Sequence, residues 1–135
     1  MKPTQELMTE HKAILKMLEI LETLITDRKN TNSLPISHLN QILTFFKVFV
    51  DKCHHGKEEN FLFPAFEECG IPKEGGPIGA MLEEHRLGRK YVSEMTEALT
   101  DLQKKRVNHL SRFSEVSHRY IALLRNHIEK ESAER

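Results

Sequence analysis

The residues best suited to chemistry are concentrated in one stretch, Cys53-His54-His55-Gly56-Lys57-Glu58-Glu59-Asn60-Phe61-Leu62-Phe63-Pro64. It holds two His/Glu pairs at a spacing of four, His54 with Glu58 and His55 with Glu59. On a helix such a pair lies on one face, one turn apart, so both side chains can reach a single ion. Imidazole with carboxylate suits iron, zinc or manganese better than calcium or magnesium. Exposed His/Glu pairs are common on helices, so the pattern gains meaning only if partners lie elsewhere in the chain.

Partners are present. His127-Ile128-Glu129-Lys130-Glu131 repeats the His-x-x-x-Glu spacing, and Glu84-His85-Arg86 resembles Glu10-His11-Lys12. The chain therefore looks like two copies of one unit, a helix with a single His followed by a helix with His-x-x-x-Glu. Four histidines, one on each helix, and two glutamates are costly to bury unless they are paired or bound to metal. The candidate ligands are His11, His55, Glu59, His85, His127 and Glu131. Both glutamates come from matching helices of the two repeats, so they are expected to bridge two ions, with two histidines on each. His38, His109 and His118 lack such companions and are read as surface residues.

The helices that must position these groups follow from apolar periodicity. The first runs from about Thr4, as N-cap, to Arg28 with His11 in register with its apolar stripe. Lys29 to Pro35 reads as a loop. The second begins near Pro35 or Ser37 and carries Ile42, Phe45, Phe46, Phe49 and Cys53 on one side, continuing to Phe66. At about 100° per residue, His55 and Glu59 fall at about 220° and 260° from Ile42, at the edge of the stripe that Phe66 and Phe63 extend. His54 and Glu58 fall at about 120° and 160°, largely opposite. The pair His55/Glu59 is therefore expected to face inward and His54/Glu58 outward. Gly56 would suit the close approach of another helix, and Pro64 a kink or helix end. Cys69 to Pro77 is the strongest breaker in the chain. A third helix from about Ile78 to Leu99 carries His85 in phase with Met81, Val92 and Met95. A turn between Thr100 and Val107 leads to a last helix through Leu110, Phe113, Tyr120, Leu124 and His127. Four amphipathic helices with short connections predict an all-α, up-down-up-down four-helix bundle occupying residues 1–135 as a single domain.

Composition narrows the classes of function. The formal net charge is zero, which gives no reason to expect a nucleic-acid partner. No apolar run approaches the ~20 residues needed to span a bilayer, and Met1 to Glu10 is too polar for a secretory signal. Two cysteines suggest no disulfide framework and a cytoplasmic protein with reduced thiols.

In order and wording, His11, His55-x-x-x-Glu59, His85, His127-x-x-x-Glu131 and the segment from His54 to Pro64 resemble the hemerythrin family, in its HHE cation-binding branch. The resemblance covers nearly the whole chain. It implies a hemerythrin-like bundle holding two non-haem iron ions bridged by the glutamates and by oxide or hydroxide, with zinc as a possible substitute. It also implies a small ligand, dioxygen, nitric oxide or peroxide, in a role of oxygen, nitric oxide or iron sensing or stress response. A second reading is a di-iron enzyme reducing peroxide or nitric oxide, and a third is a bundle with a structural metal such as zinc. Neither repeat names a protein partner. The chain departs from the oxygen carriers at Met81, where they have a further His one turn before the one matched by His85. One ion would then have a ligand fewer.

Overall fold

The computed structural model describes residues 3–26, 36–70, 76–104 and 109–133, with side chains for all of these except residues 3–7, 66, 77, 109, 110 and 131–133. Four helical rods form an up-down-up-down bundle, and no strand occurs among the described residues. The first rod is α1, Pro3–Thr26. The second begins as α2, Ile36–Phe45, continues as π-helix over Phe46–His55 and Glu58–Leu62, and ends as α3, Phe63–Glu68. The third and fourth are α4, Pro77–Gln103, and α5, His109–Ala133.

The ends follow local chemistry, with small departures from the periodicity. Pro3, not Thr4, opens α1, since proline at a first helical position loses only a donor that would be unsatisfied anyway. Gly70 follows α3 with φ 95°, a left-handed conformation open to glycine at little steric cost. Gly76 is extended and Pro77 starts α4. After α4 the Lys104 N–H closes a tight turn onto the Asp101 carbonyl at 3.1 Å. The expected loop from Lys29 to Pro35 lies outside the described residues.

The core is built by one stripe from each rod. Leu18 and Leu21 of α1, Leu39 and Phe46 of the second rod, Met95 and Leu99 of α4, and Phe113 and Ile121 of α5 are all essentially inaccessible. A smaller cluster of Phe63, Ile78 and Met81 closes the bundle beyond the histidines. Within the described residues no helix is long and apolar enough to cross a membrane.

The π-helix changes which residues of the second rod face inward. Its N–H groups reach back five residues, as Gly56 does to the Asp51 carbonyl and Phe63 to the Glu58 carbonyl. Each residue then turns through less than in an α-helix, and the lag accumulates along the segment. Val50, His54, His55 and Glu58 are buried, while Cys53 is exposed. The expectation that His54 and Glu58 face solvent is thus overturned, because it assumed an unbroken α-helical phase. Gly56 is not a helix-crossing point either: a Cβ there would meet only Asp51 and Asn60 of its own rod. Pro64 sits where π-helix gives way to α3, and the rod continues past it.

Leu18 has no exposed surface, whereas Ile20 on the same helix is 42% exposed. Leu18→Ala should cost about 2–5 kcal/mol in urea unfolding of the metal-free protein. Ile20→Ala should stay within about 0.5 kcal/mol of wild type.

Candidate metal centre

Five histidines from all four rods converge on one carboxylate. His11 comes from α1, His54 and His55 from the π-helix, His85 from α4 and His127 from α5. Each is at most 4% exposed, and Glu58 is fully buried among them. The ligating atoms form two groups, each with members within 4.8 Å of one another: His55, Glu58, His85 and His127, and His11, His54 and Glu58. Glu58 belongs to both. Its Oε1 lies 3.1 Å from His85 Nε2, 3.9 Å from His127 Nε2 and 4.0 Å from His54 Nε2. None of these approaches has hydrogen-bond geometry, and neither Glu58 oxygen has a hydrogen-bond partner.

An outer set of carboxylates fixes the rings. Glu10 accepts from His54 Nδ1 at 2.8 Å, Glu59 from His85 Nδ1 at 2.8 Å, and Glu84 from His127 Nδ1 at 2.7 Å. Asp51 faces His55 Nδ1 at 3.8 Å, a charge contact too long for a hydrogen bond. Cations hold the carboxylates in turn. Lys57 lies 2.5 Å from Glu10 and Lys130 2.9 Å from Glu84. Arg89 bonds Asp51 at 2.7 Å and Glu59 at 2.6 Å. A carboxylate can only accept, so each bonded Nδ1 carries the proton and each Nε2 presents a lone pair.

That assignment produces a conflict that a cation resolves. The Nε2 atoms of His85 and His127 face each other at 3.2 Å, beside the unbonded Glu58 carboxylate. Two lone pairs and a buried negative charge in one place require a positive charge between them. A proton on one ring would meet part of the need and a metal ion all of it, so the donor set fits a metal with nitrogen and oxygen preference.

Burial and neighbouring charges move the ring pKa values in both directions. Burial keeps His55 neutral, lowering its pKa to about 4 against the pull of Asp51. Burial lowers His54 too, despite Glu58 and Glu10. Burial also opposes a charge on His127, but Glu58 and Glu84 outweigh it and raise its pKa. For Glu58, burial would raise the pKa, but the surrounding histidines win and hold it ionised, well below the usual carboxylate range.

The placement of the sequence candidates is mixed. His11, His55, His85 and His127 are brought together. Glu59 is not among them: it is part-exposed and holds His85 from outside while Arg89 holds it. It lies outside both ligand groups and fixes the His85 ring. The side chain of Glu131 lies outside the described residues, although its backbone continues α5. In place of an even division of two histidines per ion, the structure gathers a group of three histidines and a group of two, both sharing Glu58. His54 and Glu58 were missed, yet a signal for them exists. The structure pairs Glu10 with His54 and Lys57, and Glu84 with His127 and Lys130. In sequence these are two copies of Glu-His followed by His-x-x-Lys-Glu, and the copies align His54 and Glu58, not His55 and Glu59, with His127 and Glu131. His38 and His118 are exposed, as read, and the side chain of His109 is not described.

The model of the hemerythrin HHE cation-binding domain matches residues 2–134. The chain belongs to the hemerythrin HHE family. No curated protein and no solved structure is detectably similar to it. The family is one of metal-binding helical domains, and this hemerythrin-like chain supplies two buried His/Glu groups that can hold a metal. Met81, at the position of the missing histidine, is 7% exposed and packs with Phe63 and Ile78. The ring of Phe63 lies 5.9 Å from that of His85, so an apolar cap stands where a further ligand would be.

Metal ions compete with the proton that His127 tends to hold. Lowering the pH should weaken metal binding, and metal uptake near neutral pH should release protons, read by titration calorimetry in buffers of different ionisation enthalpy. Glu84→Gln removes one of the two carboxylates that raise the His127 pKa, so this release should shrink. His54 and His55, already neutral, should contribute little to it.

Proposed function

We propose that this protein is a non-haem di-iron protein that binds dioxygen or a related diatomic molecule in a sensing or stress-response role. The observation that carries the proposal is the position of Glu58: one fully buried carboxylate, unbonded at both oxygens, shared by a three-histidine group and a two-histidine group. A carboxylate common to two groups of histidines would suit two cations. Glu131, which the internal repeat aligns with Glu58, is the natural second bridge.

His55, His85 and His127 with Glu58 would hold one ion, and His11 and His54 with Glu58 the other. When bound, the iron pair supplies the electrons and the open coordination position on which a diatomic ligand can be held. The rest is work of the chain. Glu10, Glu59 and Glu84 keep the Nδ1 protons outward and the Nε2 lone pairs inward. The apolar cap of Phe63, Ile78 and Met81 excludes water and offers no hard nitrogen or oxygen donor of its own side chains. No further acid or base stands beside Glu58 among the described residues, which favours binding over turnover. The exposed, unpaired thiols of Cys53 and Cys69 suit a reducing cytoplasm.

The decisive measurement is metal content and optical spectrum of protein purified without a metal-affinity resin, before and after exposure to air. Two irons per chain, with a spectrum that changes on oxygenation, are expected. A preparation that takes up zinc alone, or a single ion, would sink the di-iron reading. Glu58→Gln should lose binding at both positions. Glu59→Gln should keep both ions but weaken binding about 10–100-fold, the usual cost of losing a carboxylate that orients a ligand.

A further inference from the structure

A groove of about 410 Å³ lies between the second rod and α4. Its rim is exposed and polar, formed by Lys47, Ser93 and Glu97 with Asp51 and Arg89. Its floor is buried and largely apolar, formed by Phe46, Val92 and Tyr120, and it extends to His55. His55 is the one member of the two ligand groups among the lining residues. Gly88 also lines it, and a Cβ there would already touch Tyr120 at 3.6 Å and Leu123 at 3.8 Å, so a longer side chain would crowd this wall of the groove.

We infer that this groove is the passage by which a small uncharged ligand reaches the metal centre from solvent, with Arg89 as its gate. The inference rests on the metal-centre reading above. Three features carry it. The groove joins the exposed residues Lys47, Ser93 and Glu97 to His55, a buried member of a ligand group. Its rim charges cancel, Lys47 and Arg89 against Asp51 and Glu97, so no net field selects a cation or an anion, while the apolar floor accepts neutral molecules. Its volume is on the order of ten times a water molecule's share of the liquid, too large for a fitted pocket for two atoms and suited to an antechamber. Arg89 spans the inner end from α4 to Asp51 and Glu59 of the second rod. It is 43% exposed, and ion pairs this close to solvent are weak enough to open readily.

The test uses stopped-flow mixing of reduced, iron-loaded protein with nitric oxide. Ser93→Trp, a change on the exposed rim, and Gly88→Leu, on the wall, should slow association at least tenfold. Dissociation should slow by the same factor, leaving iron content and equilibrium affinity unchanged. Arg89→Ala should speed association at least threefold. A folded Ser93→Trp variant whose association rate stays within twofold of wild type overturns the passage. A second measurement needs no metal. In the metal-free protein, dissolved dioxygen should broaden the ring-proton resonances of His55 more than those of His127, and Ser93→Trp should at least halve that broadening. Equal broadening of the two rings also overturns the passage. Failure of the wild-type chain to bind iron would instead count against the di-iron reading, and the metal-free measurement would still decide the passage.

Discussion

A carboxylate with no exposed surface and no hydrogen bond must be balanced by positive charge, and Glu58 is such a group. Transferring an ionised carboxylate from water to an apolar interior is prohibitive unless charges or ions compensate it. The rest of the centre can be understood from this requirement. Histidines arrive from all four rods because no single helix can surround one carboxylate. The apolar core lies on one side of them and the Phe63, Ile78 and Met81 cluster on the other, so the charge is sealed from bulk water. Low effective dielectric strengthens any cation bound there and penalises its absence by the same physics.

Balance alone does not aim the rings. That is the work of the outer carboxylates, each bonded to a ring nitrogen on one side and to a lysine or arginine on the other. These chains cross between helices: Glu10 of α1 to the second rod, Glu84 of α4 to α5, and Glu59 of the second rod to α4. Contacts that orient the ligands therefore also tie the helices together. An acid-to-amide change at one of them is expected to alter metal affinity without exposing the core, because the orienting carboxylates lie at the surface and the balanced one does not.

The repeated unit shows where a pattern in the chain was informative and how it was misapplied. His-x-x-x-Glu occurs three times, and helical phase was used to choose between the two overlapping copies at His54 and His55. Phase arithmetic assumes 3.6 residues per turn, and the π-helical segments Phe46–His55 and Glu58–Leu62 remove that assumption where the choice is made. Nothing in the local composition of Phe46 to Leu62 announces the wider turn. The repeat held better information. Aligning Glu10-His11 and His54-x-x-Lys57-Glu58 with Glu84-His85 and His127-x-x-Lys130-Glu131 selects His54 and Glu58 by charge pairing, with no appeal to phase.

The sequence by itself determined that this chain is an all-α bundle of four rods, that it belongs to the hemerythrin HHE family, and that His11, His55, His85 and His127 gather within it. The bundle and the gathering of its histidines follow from apolar periodicity and from histidines lying on or beside each apolar stripe, both local properties of each helix, and the family follows from the order and wording of the motifs along the chain. Only the tertiary structure decided which glutamate is shared and which merely orients, and that His54 is a fifth converging histidine. It also placed Arg89 beside His55 in the lining of the groove, bonded to Asp51 and Glu59. Each of these depends on the angular position of a side chain after a π-helical segment, or on contacts between residues 26 to 47 positions apart. Such contacts are set by how the rods pack against one another, which no single helix specifies.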